Sequence, residues 1–165
     1  MSELDFDVNN FHIPRWNELP NIDLYMDQVL NYIESSLKDY IKVESDEKFI
    51  TKTMINNYVK QGIINPPINK KYNRLHIDEL FAICILKQVY SISEVKSLIK
   101  LALEANSAEN SYNRFCDYLT DSLISTFNGT EYSSNATLTP EQYLLKNAVQ
   151  SFANKLYVQI TYLNK

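Results

Sequence analysis

Only two glycines, Gly62 and Gly129, occur in the whole chain, and that scarcity excludes the Gly-rich phosphate loops on which P-loop and dinucleotide-binding folds depend. What the chain does carry is apolar residues recurring at three- and four-residue spacing, the period of an amphipathic helix. Asp23 is placed to cap a first helix bearing Met26, Val29, Leu30, Ile33, Leu37 and Ile41, entered through Leu19, Pro20 and Asn21. A polar loop over residues 43–48 ends it. A second helix begins near Thr51 or Thr53 and stops at Gly62, which suits a left-handed C-terminal cap, and Pro66 and Pro67 forbid its continuation. A third is expected over residues 77–89, with Ile77, Leu80, Phe81, Cys84 and the stem of Lys87 turned inward. Ser91 and Glu94 form a capping box that opens a fourth helix to about residue 105. After a polar break over 106–110, a fifth covers 112–127. A linker over 128–138 leads to Thr139, Pro140 and Gln142, a strong start for a sixth helix carrying Leu145, Val149, Phe152, Leu156 and Ile160. No alternating strand pattern appears beyond a short extended segment around residues 66–72. The expected fold class is mainly α.

With 165 residues, 45% of them hydrophobic, the chain can bury a real core, and disorder over most of its length is not expected. Two cysteines, Cys84 and Cys116, and two histidines, His12 and His76, are too few and wrongly spaced for a structural zinc, so no metal and no cofactor is expected. The cysteines lie on apolar helix faces and read as core thiols. Met1–Asp7 is acidic and has none of the apolar stretch of a signal peptide, and the longest apolar run, 80–86, is far short of a membrane span. A cytoplasmic protein with no membrane partner is expected. Lysine outnumbers arginine 13 to 3, and asparagine (18) and isoleucine (16) are abundant, the signature of an A/T-rich bacterial genome. That bias is the ordinary explanation for many individual lysines and asparagines.

Charge is distributed unevenly. The whole chain carries −4, but residues 1–48 hold 4 basic and 11 acidic side chains, whereas residues 49–100 hold 8 and 3. Residues 49–76 contain Lys52, Lys60, Lys70, Lys71 and Arg74 and no acid at all. A basic island in an acidic protein points to a localised anionic partner, or else to a solvated face. Projected on a helix, Lys52, Thr53, Asn56, Asn57 and Lys60 share one arc, and Met54, Ile55, Tyr58 and Val59 fill the opposite one. Asparagine is a mediocre helix former, so the pair Asn56 and Asn57 in mid-helix asks for a reason. Amide side chains can bond the adenine edge and lysines reach guanine or phosphate, so this face is suited to the major groove of DNA. The proline-led reversal Pro66–Arg74 then brings Lys70, Lys71, Tyr72 and Arg74. A polar helix followed by a small basic reversal is the layout of a winged helix-turn-helix.

The run from Thr53 to Ile64, then Pro66, Pro67 and Tyr72, then Leu80 and Leu86, and finally Ser91–Val95, resembles the DNA-binding domain of MerR-type regulators. With Trp16–Pro20 and Asp23–Gln28 upstream, it resembles more specifically an uncharacterised bacterial domain family of unknown function placed among the MerR-like folds. The match covers about residues 15–100. It implies a MerR-like core of about four helices plus a short wing, with two further C-terminal helices: a tail over 1–15, the winged domain over 16–105, and a helical pair over 106–165. Asn56 stands where the MerR pattern has its groove-facing arginine. Asn57 and Tyr58 match paired tyrosines near the DNA backbone, and Tyr72 matches the wing tyrosine. The wing arginine is replaced by Asn73, with Arg74 one residue later, and the tyrosine after it by Leu75. The expectation is a homodimeric, sequence-specific transcription regulator bound to double-stranded DNA, with no small-molecule effector assigned. In it, Lys52, Thr53, Asn56, Asn57 and Lys60 face the groove, and Lys70, Lys71, Tyr72 and Arg74 face phosphate. The competing expectation is a helical interaction module that keeps the fold without reading DNA. No serine, cysteine or carboxyl pair is arranged for catalysis, so no enzyme is expected.

Overall fold

A computed structural model describes residues 6–41, 43, 47–132 and 137–163. The protein is mainly helical, with helices α1 Met26–Leu37, α2 Lys52–Lys60, α3 Arg74–Leu86, α4 Ile92–Ala105, α5 Ala108–Phe127 and α6 Pro140–Val158, the last running into a single π-helical turn, Gln159–Leu163. Two short strands, β1 Leu24–Tyr25 and β2 Lys71–Tyr72, pair antiparallel, Leu24 opposite Tyr72 and Tyr25 opposite Lys71. Among the described residues no helix is long and apolar enough to cross a membrane.

Helix ends follow local chemistry. Both glycines stand just beyond a helix with φ of 71°. After α2, Gly62 N–H donates to the Val59 carbonyl (3.0 Å) and Ile63 N–H to the Tyr58 carbonyl (2.9 Å), the paired bonds of a Schellman stop. After α5, Gly129 and Thr130 repeat the pattern onto Thr126 and Ser125 (3.2 and 2.9 Å). Ser91 and Glu94 close the expected box at α4, and Thr139 and Gln142 the one at α6.

Several expected bounds shift. Asp23 does not cap α1: Leu24 and Tyr25 are taken into the strand pairing, so the helix begins at Met26 and Gln28 Oε1 accepts from Tyr25 N–H (2.9 Å). It also ends at Leu37 rather than near Ile41, although Ile41 stays in the core. The expected loop at 43–48 and the linker at 128–138 fall partly outside the described residues. Helix α3 starts three residues early because Asn73 Oδ1 caps it, accepting from His76 N–H (3.2 Å). Ser107 does the same for Asn110, starting α5 at Ala108.

Helix α3 is the central element. Ile77, Leu80, Phe81, Ile83, Cys84 and Ile85 are all fully buried, so the helix is apolar nearly all round and packs against α1, α4, α5 and α6. Each such side chain contributes about 1.5–3 kcal/mol by leaving water. The α5–α6 pair closes over it with Leu119, Leu123, Phe152 and Leu156. Both thiols lie in this core, and burial pushes Cys84 and Cys116 up to about 12. Val8, Phe11 and Ile13 belong to the same core. The Tyr112 hydroxyl donates to the Pro14 carbonyl (2.6 Å), Arg15 pairs with Asp117, and Asn113 Oδ1 accepts from Trp16 N–H (3.0 Å). The segment ahead of β1 is thus seated on α5, and one core runs across both expected boundaries, at residue 15 and at residue 105.

Candidate nucleic-acid interface

Helix α2 separates its two faces cleanly. Ile55 and Tyr58 are buried and Met54 and Val59 partly so, while Lys52, Thr53, Asn56, Asn57 and Lys60 are all exposed. Thr51 caps the helix by accepting from Met54 N–H (3.2 Å). The first turn carries Lys52 and no acid, which runs against the helix dipole, whereas Lys60 in the last turn runs with it. Among the described residues Lys52, Lys60, Lys70 and Lys71 form no ion pair.

The buried side of α2 is held by Lys87, just beyond α3. Its ammonium donates to the Tyr58 hydroxyl (3.1 Å) and to the Phe49 carbonyl, and it lies 3.4 Å from Met54 Sδ. Burial lowers the affinity of Lys87 for its proton and pushes the Tyr58 phenol up. Tyr58 is only 4% exposed. Its place beside the backbone of DNA, implied by the resemblance, is corrected: the phenol is spent on the clamp between α2 and α3.

The reversal is a two-residue hairpin. Ile68 and Lys71 exchange both backbone hydrogen bonds (2.9 and 3.0 Å), and the central residues Asn69 and Lys70 have φ of 52° and 64°. Such a turn ordinarily takes glycine at one or both positions, because an L side chain in the left-handed region costs about 1–2 kcal/mol. Here the second position presents an exposed lysine instead. Lys71 Nζ lies 5.0 Å over the Tyr25 ring, which draws it back toward β1.

Two further expected phosphate contacts turn inward. Tyr72 is 3% exposed, with its ring edge-on to His76 (5.4 Å), and burial pushes its phenol up. The Arg74 guanidinium lies 5.5 Å over Trp16 and donates to the Leu19 carbonyl (3.4 Å), while its Nε is buried with no partner among the described residues. Both therefore brace the reversal against the rest of the fold. The exposed set is Lys52, Thr53, Asn56, Asn57 and Lys60 on α2 and Lys70 at the tip of the reversal, with Lys71 half-buried beside it.

Two residues outside the expected set position this reversal. His76 Nδ1 accepts from Asn73 N–H (2.9 Å), which leaves the proton on Nε2 to donate to the Pro66 carbonyl (3.1 Å). Asn73, which the resemblance set against the wing arginine of MerR-type regulators, is the cap of α3. The Asn73–His76 spacing was the available signal, since i and i+3 residues at a helix start cap one another.

A family model described as a domain of unknown function (DUF1836) matches residues 14–119, so the matched stretch runs from Pro14 through β1, α1–α4 and into α5. No curated protein and no solved structure matches the chain.

Proposed function

The chain belongs to the DUF1836 family, and on that premise we propose that it is a homodimeric, sequence-specific DNA-binding regulator built on a MerR-like winged helix-turn-helix. One observation carries the reading: an α2 face made entirely of exposed lysine, threonine and asparagine, without ion pairs among the described residues, followed by a hairpin that presents Lys70 where glycine would be easier. Asn56 and Asn57 read base edges in the major groove, Lys52, Thr53 and Lys60 add groove and phosphate contacts, and Lys70 with Lys71 grips phosphate. The partner is double-stranded DNA. Tyr143, Leu144, Tyr157 and Val158, exposed apolar side chains on α6, supply the surface for the dimer.

Those same α6 side chains favour a second reading, a helical protein-interaction module that retains the winged layout without DNA. Selection of duplexes from a randomised pool, followed by fluorescence anisotropy at two salt concentrations, separates the two. A recovered site with two-fold symmetry and a steep salt dependence supports the DNA reader. No binding to any duplex at low salt overturns it in favour of the interaction module.

A further inference from the structure

A cleft of about 440 Å3 lies between α3, α4, α5 and α6, away from the basic face. Its walls are mostly apolar, with Leu98, Phe115 and Val149 contributed by three different helices, and its size falls in the range of small-molecule sites. Leu103 and Glu104 at the end of α4 and Glu141 at the start of α6, all exposed, mark its rim. Two features set it apart from a packing defect. Asp78 of α3 lines it while being only 4% exposed, and its carboxyl accepts from the Glu79 backbone but from no side chain among the described residues. Tyr118 of α5 lines it too, and its buried hydroxyl has no partner among the described residues. A buried polar group without a partner costs about 1–3 kcal/mol, so the Tyr118 hydroxyl calls for a ligand that bonds to it, and the Asp78 carboxyl lines the same cleft.

Charge selects the ligand. The ionisable groups on the lining are Asp78 and Glu79 from α3, Glu104 from α4, Arg114 from α5 and Glu141 from α6, four carboxyls against one guanidinium. We propose that this cleft binds a small organic cation, an amine carried on an aromatic or branched aliphatic body, with the ammonium on Asp78 and the body against Leu98, Phe115 and Val149. Burial raises the Asp78 carboxyl to about 8 and Glu79 to about 7, with no cation among the described residues offsetting either, so Asp78 holds a proton at neutral pH and gives it up when the ammonium arrives. The cleft stands independently of the DNA reading, since none of the exposed α2 or hairpin residues lines it.

The test is titration calorimetry of the full chain, without DNA, with 2-phenylethylamine against its neutral and anionic counterparts 2-phenylethanol and phenylacetate. Saturable binding of the amine with Kd of about 1 mM or tighter, at least about tenfold tighter than either counterpart, is expected. Asp78→Asn reduces amine binding at least tenfold. Ala102→Trp, which fills the cleft from α4, abolishes it in protein whose circular dichroism is unchanged. The proposal is overturned if the amine does not saturate, if all three probes bind alike, or if folded Ala102→Trp still binds. Discrimination among the probes by the native protein decides the matter even where Asp78→Asn fails to fold.

Discussion

His76 joins the foot of the hairpin to the helix that follows it: one ring nitrogen donates to the Pro66 carbonyl at 3.1 Å while the other accepts from Asn73 N–H at 2.9 Å. A single tautomer, with its proton on Nε2, serves both bonds. Replacing His76 by alanine orphans the Pro66 carbonyl and the Asn73 amide together. A loss of about 1–3 kcal/mol is expected in urea unfolding, and the DNA affinity of the remaining folded protein should fall as the hairpin loses its footing. Unchanged stability would show that water replaces the imidazole at no cost.

Lys70 offers a test in which stability and function move in opposite directions. Lys70→Gly removes a side chain from φ of 64°, so the midpoint of unfolding should rise by the equivalent of about 1 kcal/mol. The same change should weaken every DNA sequence alike and flatten the dependence of log K on log salt by about one unit. A stabilised protein with undiminished affinity would remove Lys70 from the interface.

Asn56→Ala should behave differently from a lysine change. Asn56 is exposed on α2 and its side chain makes no hydrogen bond among the described residues, so stability should hold or rise slightly. Preference at one base pair should relax by about 1–3 kcal/mol, while binding to random duplex stays the same. Equal losses on specific and random DNA would assign Asn56 to phosphate rather than to a base.

Asp78 and Glu79 set a pH dependence of folding. Both carboxyls are raised in the folded protein by burial, to about 8 and about 7. The folded state therefore holds protons that the unfolded chain has released. Their contribution is fully present below the unfolded carboxyl range near pH 4 and is lost as pH rises through 7 and 8. Between pH 6 and pH 9 the protein should lose on the order of 3 kcal/mol of stability, read from chemical denaturation at each pH, and Asp78→Asn should flatten much of that slope. A stability that rises over the same interval would contradict the assignment.

How much of this was legible in the sequence depended on the range of the interaction. The stop of α2 at Gly62 and the starts of α4 and α6 rest on residues within one turn of each other, so the local sequence announces them. Strand β1 escaped because two residues, Leu24 and Tyr25, cannot display a period of two, and their partners lie beyond α2. The exposed face of α2 follows from spacing alone, yet periodicity assigns Tyr58 to packing while the resemblance assigns it to DNA, and one side chain cannot do both. Lys87 decides for packing, and nothing local to Tyr58 announces a lysine from the end of α3. Arg74 looked available for phosphate because Trp16, which its guanidinium covers, arrives from far upstream.

The clasp of the N-terminal segment on α5 has a kinetic meaning. Pro14 and Tyr112 lie 98 positions apart, and Arg15 and Asp117 lie 102 apart, so closing this loop costs about 4 kcal/mol of chain entropy before any contact repays it. On a ribosome the segment has no seat until α5 has emerged, and α1 to α4 must hold together without it. Trp16, the chain's single tryptophan, sits in this clasp. Its fluorescence consequently times the latching of the two ends rather than the birth of the helices, and in refolding it should lag behind the far-ultraviolet circular dichroism. Coincident traces would mean that the latch and the helices form in one step.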